Sequence, residues 1–426
     1  MGKNTTRLHE QANNQPASPP ATPPCRVIAW EVTRRCNLAC LHCRASAQNI
    51  PYNQELSLAE ASQLIQSFPK TGSPLVIFTG GEPLLRSDIF ELVSLVKAQG
   101  LRAAISVNGT LLNAYNVAKM KESGISRCSI SLDGENAITH DRFRGVPGAF
   151  EQALRGIALL RKEALSFQIN TTITPHNLHS LAGMLNLCKQ LGAVAWHIFL
   201  LVPVGRGKNL QGLNPESYEK ALNWIYNQAQ VEDIEIKPTC APQYNRLASL
   251  KIPNHTLTNS INGHTENQTN ESAKTGNTDA PHASPSFVNI HASSSMPSST
   301  PSYLYNPTSS PMPNPAPKLA HIPTLEHGHR LKSRGCLGGL SFCFISHLGQ
   351  VQPCGYLELN CGNVREKPFP LIWQNSQIFQ NLRNPQTYTG QCGTCRYHNI
   401  CGGCRARALA HSGNYLHDDP VCLFNT

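Results

Sequence analysis

The sequence predicts an α/β fold: a partial (β/α)6 TIM-like barrel followed by a small cysteine-rich C-terminal domain. Three observations carry that expectation. Six apolar strand patterns alternate with helical patterns between residues 27 and 202, which argues for parallel strands joined by helical crossovers. Polar and glycine-rich stretches fall where the strand patterns end, the face on which β/α barrels place their active sites. Nine cysteines crowd the span from Cys336 to Cys422, too many and too close for ordinary core residues.

Val27–Thr33 reads as the first strand and leads straight into Cys36-Asn37-Leu38-Ala39-Cys40-Leu41-His42-Cys43. Ser57-Leu58-Ala59-Glu60 is a capping-box pattern that opens an amphipathic helix reaching about Phe68. Leu75–Phe78 is a second strand, ending in Thr79-Gly80-Gly81-Glu82-Pro83. A helix from Ser87 to Gln99 follows, with Gly100 as its C-terminal stop. Arg102–Val107 is a third strand ending in Asn108-Gly109, and Cys128–Leu132 a fourth ending in Asp133-Gly134. Phe167–Ile173 is the fifth, and Val194–Val202 the sixth, ending in Pro203-Val204-Gly205-Arg206-Gly207. Helical patterns at Ala149–Lys162 and Asn177–Gln190 separate the later strands. The cysteine loop, the Gly-Gly-Glu-Pro loop, Asn108, Asp133 and Arg206 should therefore converge.

Composition divides the chain into four parts. Residues 1–24 are polar and proline-rich and read as a disordered tail. Residues 25–250 form the barrel. Residues 251–327, dominated by Ser, Asn, Thr, Pro and His, lack the apolar surface to offset the entropy of ordering and read as a low-complexity insertion. Its scattered histidines read as solvent-exposed filler. Residues 328–426 form the cysteine-rich domain. The tail lacks the apolar core of a signal peptide, and no apolar run is long enough to span a bilayer. Sixteen cysteines in such a chain read as metal ligands in a reducing cytoplasm. A formal charge of +10 suggests an anionic partner, without choosing its kind. Nothing beyond that charge indicates nucleic acid.

The C-x3-C-x2-C spacing offers three thiolates from one tight loop, enough for three corners of a 4Fe–4S cube. A closed metal knuckle would complete four ligands; here the fourth iron has no protein ligand nearby in sequence. In the C-terminal part, Cys392-x2-Cys395-x5-Cys401-x2-Cys404 suits zinc or iron–sulfur clusters, which use the same thiolates. His197 and Cys240 could serve as axial ligands to a haem iron. The plainer reading makes His197 a packed strand residue and Cys240 a small buried hydrophobe, like Cys25, Cys128 and Cys188.

Cys36, Cys40 and Cys43 on the first strand-loop, with Gly80-Gly81-Glu82-Pro83 after the second, resemble the radical S-adenosylmethionine (SAM) superfamily over roughly Arg26–Gly207. That resemblance implies a 4Fe–4S cluster on the three cysteines, with SAM chelating the open iron. It also implies that Gly80, Gly81, Glu82 and Pro83 meet the SAM amino group, and that Asn108, Ser131 and Asp133 line its pocket. The C-terminal cysteines are similar to SPASM/twitch modules. By that likeness Cys392, Cys395, Cys401 and Cys422 hold an auxiliary 4Fe–4S cluster. Cys336, Cys343, Cys354 and Cys404 form a possible second set, which the x2 spacing before Cys404 leaves open.

Trp30–Arg35, His42–Ala45, His140–Gly148, Ile198–Pro203 and Val351–Tyr356 narrow the resemblance to the AdoMet-dependent haem synthases. It implies decarboxylation of two propionates of iron-coproporphyrin III to vinyl groups, giving protohaem. Arg142, Arg144 and Arg206 are the arginines expected to pair with those propionates. An electron donor such as a ferredoxin or flavodoxin is implied, as is a monomer. Other readings are a neighbouring tetrapyrrole step (didecarboxysiroheme deacetylation or d-type haem maturation), a peptide-modifying SPASM enzyme, and an iron–sulfur electron carrier. Gly80–Pro83 argues against the last, because a carrier needs no SAM pocket.

Overall fold

A computed structural model describes residues 22–251 and 334–425. The expected insertion, apart from Lys251, and the tail up to Ala21 lie outside the described residues. The last stretch of the tail is held in place, for the Pro23 carbonyl accepts the Trp373 indole N–H at 2.9 Å.

Among the described residues, all ten strands belong to one sheet. They are β1 (Val27–Thr33), β2 (Leu75–Gly80), β3 (Arg102–Val107), β4 (Ile125–Ser131), β5 (Phe167–Ile173), β6 (Ala195–Leu200), β7 (Glu235–Thr239), β8 (Phe342–Ile345), β9 (Gln350–Gln352) and β10 (Gly362–Asn363). Their order is β10-β9-β8-β1-β2-β3-β4-β5-β6-β7. The first seven pair in parallel and in sequence order. The six expected strands are thus present in the expected arrangement.

Two features go beyond the sequence reading. A seventh parallel strand, β7, carries Pro238 and ends the sheet, the position where a residue without an N–H is tolerated. The cysteine-rich segment also contributes to the barrel sheet. Its β8 pairs in parallel with β1, placing Phe342 opposite Val27 and Ile345 opposite Trp30.

Strand alternation divides the two faces. Ile28, Trp30, Val76, Phe78, Ile105, Ile130, Ile169, Trp196 and Ile198 are buried in the main core, with the helices packed over them. The alternate positions carry Glu31, Ser129, Gln168, Asn170, Thr172, His197 and Glu235. Arg127 of β4 reaches Glu235 of β7, Nη1 to Oε2 at 3.7 Å, although two strands lie between them in the sheet. That contact crosses the concave face. A filled barrel would carry bulky branched side chains there; this one has a polar interior.

Local signals explain the ends of elements. Ser57 accepts the Glu60 N–H while the Glu60 carboxylate accepts the Ser57 N–H at 2.8 Å, completing the capping box before the helix Leu58–Ser67. The helix expected from Asn177 begins later, at Leu181. Asn177 is committed elsewhere, its Nδ2 donating to the carbonyls of Asp133 at 2.9 Å and Thr172 at 2.8 Å.

Candidate active site and auxiliary metal centres

The cysteine loop follows β1 without regular structure, and its backbone is held from several sides. Ala39 and Leu41 N–H donate to the carbonyls of Arg144 and Phe143 at 3.2 and 3.0 Å. The Arg206 N–H donates to the Cys43 carbonyl at 2.9 Å. Its guanidinium donates to the carbonyls of Cys40 at 2.7 Å and Ala47 at 2.8 Å.

Each of the three sulfurs has a donor beside it. Leu38 N–H lies 3.4 Å from Cys36 Sγ, Ala47 N–H 3.4 Å from Cys43 Sγ, and Arg144 Nη1 3.6 Å from Cys40 Sγ. Burial pushes the Cys36 thiol up to about 12 and raises that of Cys40. Without a cation these thiols hold their protons; metal coordination reverses that preference. Three buried thiols with donors to sulfur suit three corners of an iron–sulfur cube. Nearby, His42 Nδ1, Arg144 Nε and Arg206 Nη2 are buried with no hydrogen-bond partner, as expected where a bound group would supply acceptors.

The loop after β2 is built onto the cysteine loop. Gly81 and Glu82 N–H donate to the carbonyls of Thr33 and Arg35, both at 2.8 Å. A Cβ at Gly80 would overlap the Thr33 carbonyl oxygen, and one at Gly81 those of Arg34 and Arg35. Both glycines are thus required by close approach. Glu82 is fully buried and accepts the N–H groups of Asn108 at 2.7 Å and Leu84 at 3.1 Å. Burial outweighs those two bonds and lifts its carboxyl to about 7. Pro83 opens the short turn Pro83–Leu85 that Glu82 caps. Asn108 closes the triangle, its Nδ2 donating to Asn37 Oδ1 at 2.9 Å.

Ser131 ends β4 beside Asn170 of β5. Asp133, just beyond it, is fully buried and paired with Arg144 Nη2 at 2.6 Å. It also accepts the Thr172 N–H at 2.7 Å and stands 3.6 Å from His42 Nε2. Burial works to raise its carboxyl, but Arg144, His42 and His140 prevail and hold it below the usual range. The His42 ring stacks on Phe143 with centroids 4.3 Å apart.

The expected convergence therefore holds. Arg144 is turned onto Asp133 and Cys40 and Arg206 onto the cysteine-loop carbonyls, while Arg144 Nε and Arg206 Nη2 each keep a buried N–H that no protein acceptor meets. Arg142 lies exposed on the helix Ala137–Arg144.

A buried Glu31 network was not legible in the sequence. Glu31 on β1 pairs with Arg44 at 2.7 Å, Arg34 at 3.1 Å and His347 at 2.7 Å. Burial would raise its carboxyl, yet Arg44, His347 and Arg34 together hold it at about 2. Arg44 also lies over the Phe344 ring of β8, 4.3 Å from the centroid. The available signal was a charged residue in an otherwise apolar strand.

Two thiol groups occupy the C-terminal module. Cys392, Cys395, Cys401 and Cys422 line one cavity, beside Arg246, Tyr397 and Phe424. Donors again face sulfur, from Tyr397 N–H to Cys395, Gly403 N–H to Cys401 and Arg405 Nη2 to Cys392, at 3.4 to 3.5 Å. Among the described residues, no three His, Cys, Asp or Glu side chains close round a single ion.

Around the expected second set, Cys336, Cys343, Cys354 and Cys404, the structure places one further thiol. Cys240 packs with Cys354 and Cys404 and neighbours Cys336, while Cys343 stands apart. Burial first, and then the nearby Cys404, Cys354 and Cys336, push the Cys240 thiol far up. Cys343 sits on β8 opposite Ile28, its Sγ 3.9 Å from that of Cys25; alternation turns it into the apolar core. Cys240 follows β7 in a left-handed conformation with φ +57°, and Arg407 Nη1 holds its carbonyl at 2.7 Å. It lies about a hundred residues before Cys336 in sequence, so spacing could not reveal it. His197 keeps its plain reading as a strand residue, its Nδ1 3.0 Å from Gln168 Nε2.

This frame, with three thiols on the first strand-loop and further thiols clustered in an appended module, defines a radical SAM protein with iron–sulfur sites in its C-terminal domain. The comparisons agree. The Radical SAM superfamily matches residues 30–188, and an iron–sulfur cluster-binding domain matches residues 336–404. The chain is 43% identical to the AdoMet-dependent heme synthase of Oleidesulfovibrio alaskensis, over 98% of this chain and 92% of that protein. It is 44% identical to that of Nitratidesulfovibrio vulgaris, over 98% and 97%. Streptococcus suis SuiB bound to S-adenosylmethionine shares the fold, with a TM-score of 0.64 at 12% identity over 94% of this chain and 78% of that one. The chain belongs to the family of AdoMet-dependent heme synthases.

Proposed function

We propose that this enzyme of haem biosynthesis converts two propionates of iron-coproporphyrin III to vinyl groups, giving protohaem. The observation that carries the proposal is the identity to two heme synthases over nearly the full length of both partners. The polar concave face of the barrel adds to it, as an interior suited to a charged ligand.

When bound and reduced, the cluster and SAM would supply a 5′-deoxyadenosyl radical that takes a hydrogen from a propionate β-carbon. The residues of this chain hold and shield that chemistry. Cys36, Cys40 and Cys43 would hold the cluster and leave one iron to SAM. Glu82, buried without a cation, would accept the SAM ammonium, with Gly80, Gly81 and Pro83 shaping the approach. Asn108 ties this loop to the cysteine loop, and Asp133 with Ser131 closes the pocket beside it. Arg144 and Arg206 keep the cysteine loop rigid and place positive charge beside the cluster.

Loss of one hydrogen atom and carbon dioxide leaves one surplus electron per propionate, for which an auxiliary cluster would serve as acceptor. Cys392, Cys395, Cys401 and Cys422 would hold one such cluster, and Cys240, Cys336, Cys354 and Cys404 a second. A ferredoxin or flavodoxin delivers the first electron, and the enzyme works as a cytoplasmic monomer. Among the described residues, no helix is long and apolar enough to cross a membrane.

The test is anaerobic. Reconstituted enzyme with SAM and a reductant is offered iron-coproporphyrin III beside didecarboxysiroheme. Vinyl product from the first is expected; turnover of the second alone overturns the assignment.

A further inference from the structure

Among the thiols of the C-terminal module lies a buried tyrosine, Tyr388, with two arginine guanidiniums beside its ring. The Tyr388 ring has the Arg334 guanidinium carbon 4.9 Å from its centroid and that of Arg405 4.7 Å away. Burial and the nearby Cys336 and Cys392, one from each set, raise its hydroxyl to about 12 against the pull of the two arginines. Arg405, beside the ring, reaches Cys392, and Arg334, also beside it, stands two residues before Cys336 in the chain.

Each arginine is fixed by its other contacts. Arg405 Nη2 donates to Cys392 Sγ at 3.5 Å, while Nη1 donates to the carbonyls of His417 at 2.6 Å and Tyr415 at 3.2 Å. Arg334 Nη1 donates to the Leu382 carbonyl at 2.9 Å, the same oxygen that accepts the Tyr388 hydroxyl at 3.3 Å. Arg334 is 7% exposed and Arg405 fully buried. Arg334 Nε and Nη2 are buried with no acceptor in the protein. Asp419 is the carboxylate near Arg405, and it already serves Arg407 at 3.0 Å, Gln243 at 2.7 Å and the Cys404 N–H at 2.7 Å.

Buried guanidiniums are costly unless negative charge or acceptors meet them. A 4Fe–4S cluster on four thiolates is an anion with sulfides that accept hydrogen bonds, and nearby charge and hydrogen bonds set its potential. We infer that Arg334, Tyr388 and Arg405 form a cationic bridge between the two auxiliary clusters that raises the reduction potentials of both. The bridge lets two anionic clusters stand side by side and favours the reduced state in each. It acts as a positioning and tuning element without touching substrate. The inference rests on the proposed function's reading that both thiol sets carry clusters.

The test uses the full chain, reconstituted anaerobically and titrated with mediators while the reduced clusters are followed by electron paramagnetic resonance. In Arg405→Met the cluster of the Cys392 set should fall in potential enough to change its reduced-to-oxidised ratio at least tenfold at fixed poise, about 59 mV for a one-electron couple. Arg334→Met should do the same to the cluster of the Cys336 set. Arg405→Lys, which keeps the charge, should restore most of the loss. If Arg405→Met fails to retain iron, Arg334→Met carries the test, since the hydrogen bond described for Arg334 goes to a carbonyl. Unchanged potentials in iron-replete Arg334→Met overturn the bridge. Iron and sulfide in the wild type are counted first; enough for fewer than three clusters overturns the two-set reading beneath it.

Discussion

Glu82 is fully buried, and burial prevails over its two backbone N–H bonds to bring its carboxyl into the range near neutral pH. Its folded value of about 7 stands above the ordinary 4.5. The sign follows: its contribution to stability is fully present below pH 4.5 and is lost as pH rises through about 7. The loss is on the order of 3 kcal/mol by linkage. Thermal melts of the cluster-free chain should therefore show a stability decrease across that range that disappears in Glu82→Gln. SAM binding should strengthen over the same range as the carboxylate forms. A second residue-scale prediction separates two cysteines that look alike in sequence. Iron content of the reconstituted chain should drop by about one cluster in Cys240→Ala and stay unchanged in Cys343→Ala, since cluster ligation depends on the thiolates present. The reverse result would restore the set that the SPASM/twitch likeness implies.

Elements place these residues by fitting one loop against another. The Gly80-Gly81 stretch passes so close to the Thr33–Arg35 backbone that no side chain fits. Gly81→Ala should push the two loops apart, costing about 2–4 kcal/mol as an overpacking and backbone effect and lowering iron retention. Gly100→Ala is the control, because its left-handed φ of +71° faces open space and strain alone should cost about 1 kcal/mol. Melting temperature and iron per chain read both out. At this scale much was legible beforehand. The capping box at Ser57, the strands β1, β3 and β5, and the helix Ala149–Lys162 match their sequence patterns because local periodicity and capping decide them. β7 was hidden by Pro238, and β8 by being four residues long with a cysteine in it. Both form because a neighbouring strand offers them a ladder, which no local pattern records.

The whole molecule is organised by the continuity of its sheet. β8 covers the edge that β1 would otherwise expose, and the C-terminal module adds Phe369 to the core, 5.6 Å from Phe68. Glu31 and His347, 316 residues apart, meet at 2.7 Å in the same seam. A chain ended after Lys251 should therefore expose an apolar strand edge and a buried carboxylate network short of one partner. Size-exclusion chromatography of that truncation should show aggregation, and a stable monomer would contradict the shared-sheet account.

By itself the sequence determined the alternation of strand and helix, the three-thiol loop, the Gly-Gly-Glu-Pro loop and the two-part organisation of cluster-binding segments. Those features rest on local periodicity, on ligand spacing within one loop and on a specific pair of motifs. Tertiary structure alone decided which thiol comes to lie beside Cys336, Cys354 and Cys404, where the strand-end arginines turn and what neutralises Glu31. Each of those outcomes depends on side chains brought together from distant parts of the chain, with the choice made by burial. A buried charge or thiol must find a partner in three dimensions, and the order of residues does not say which one it will be.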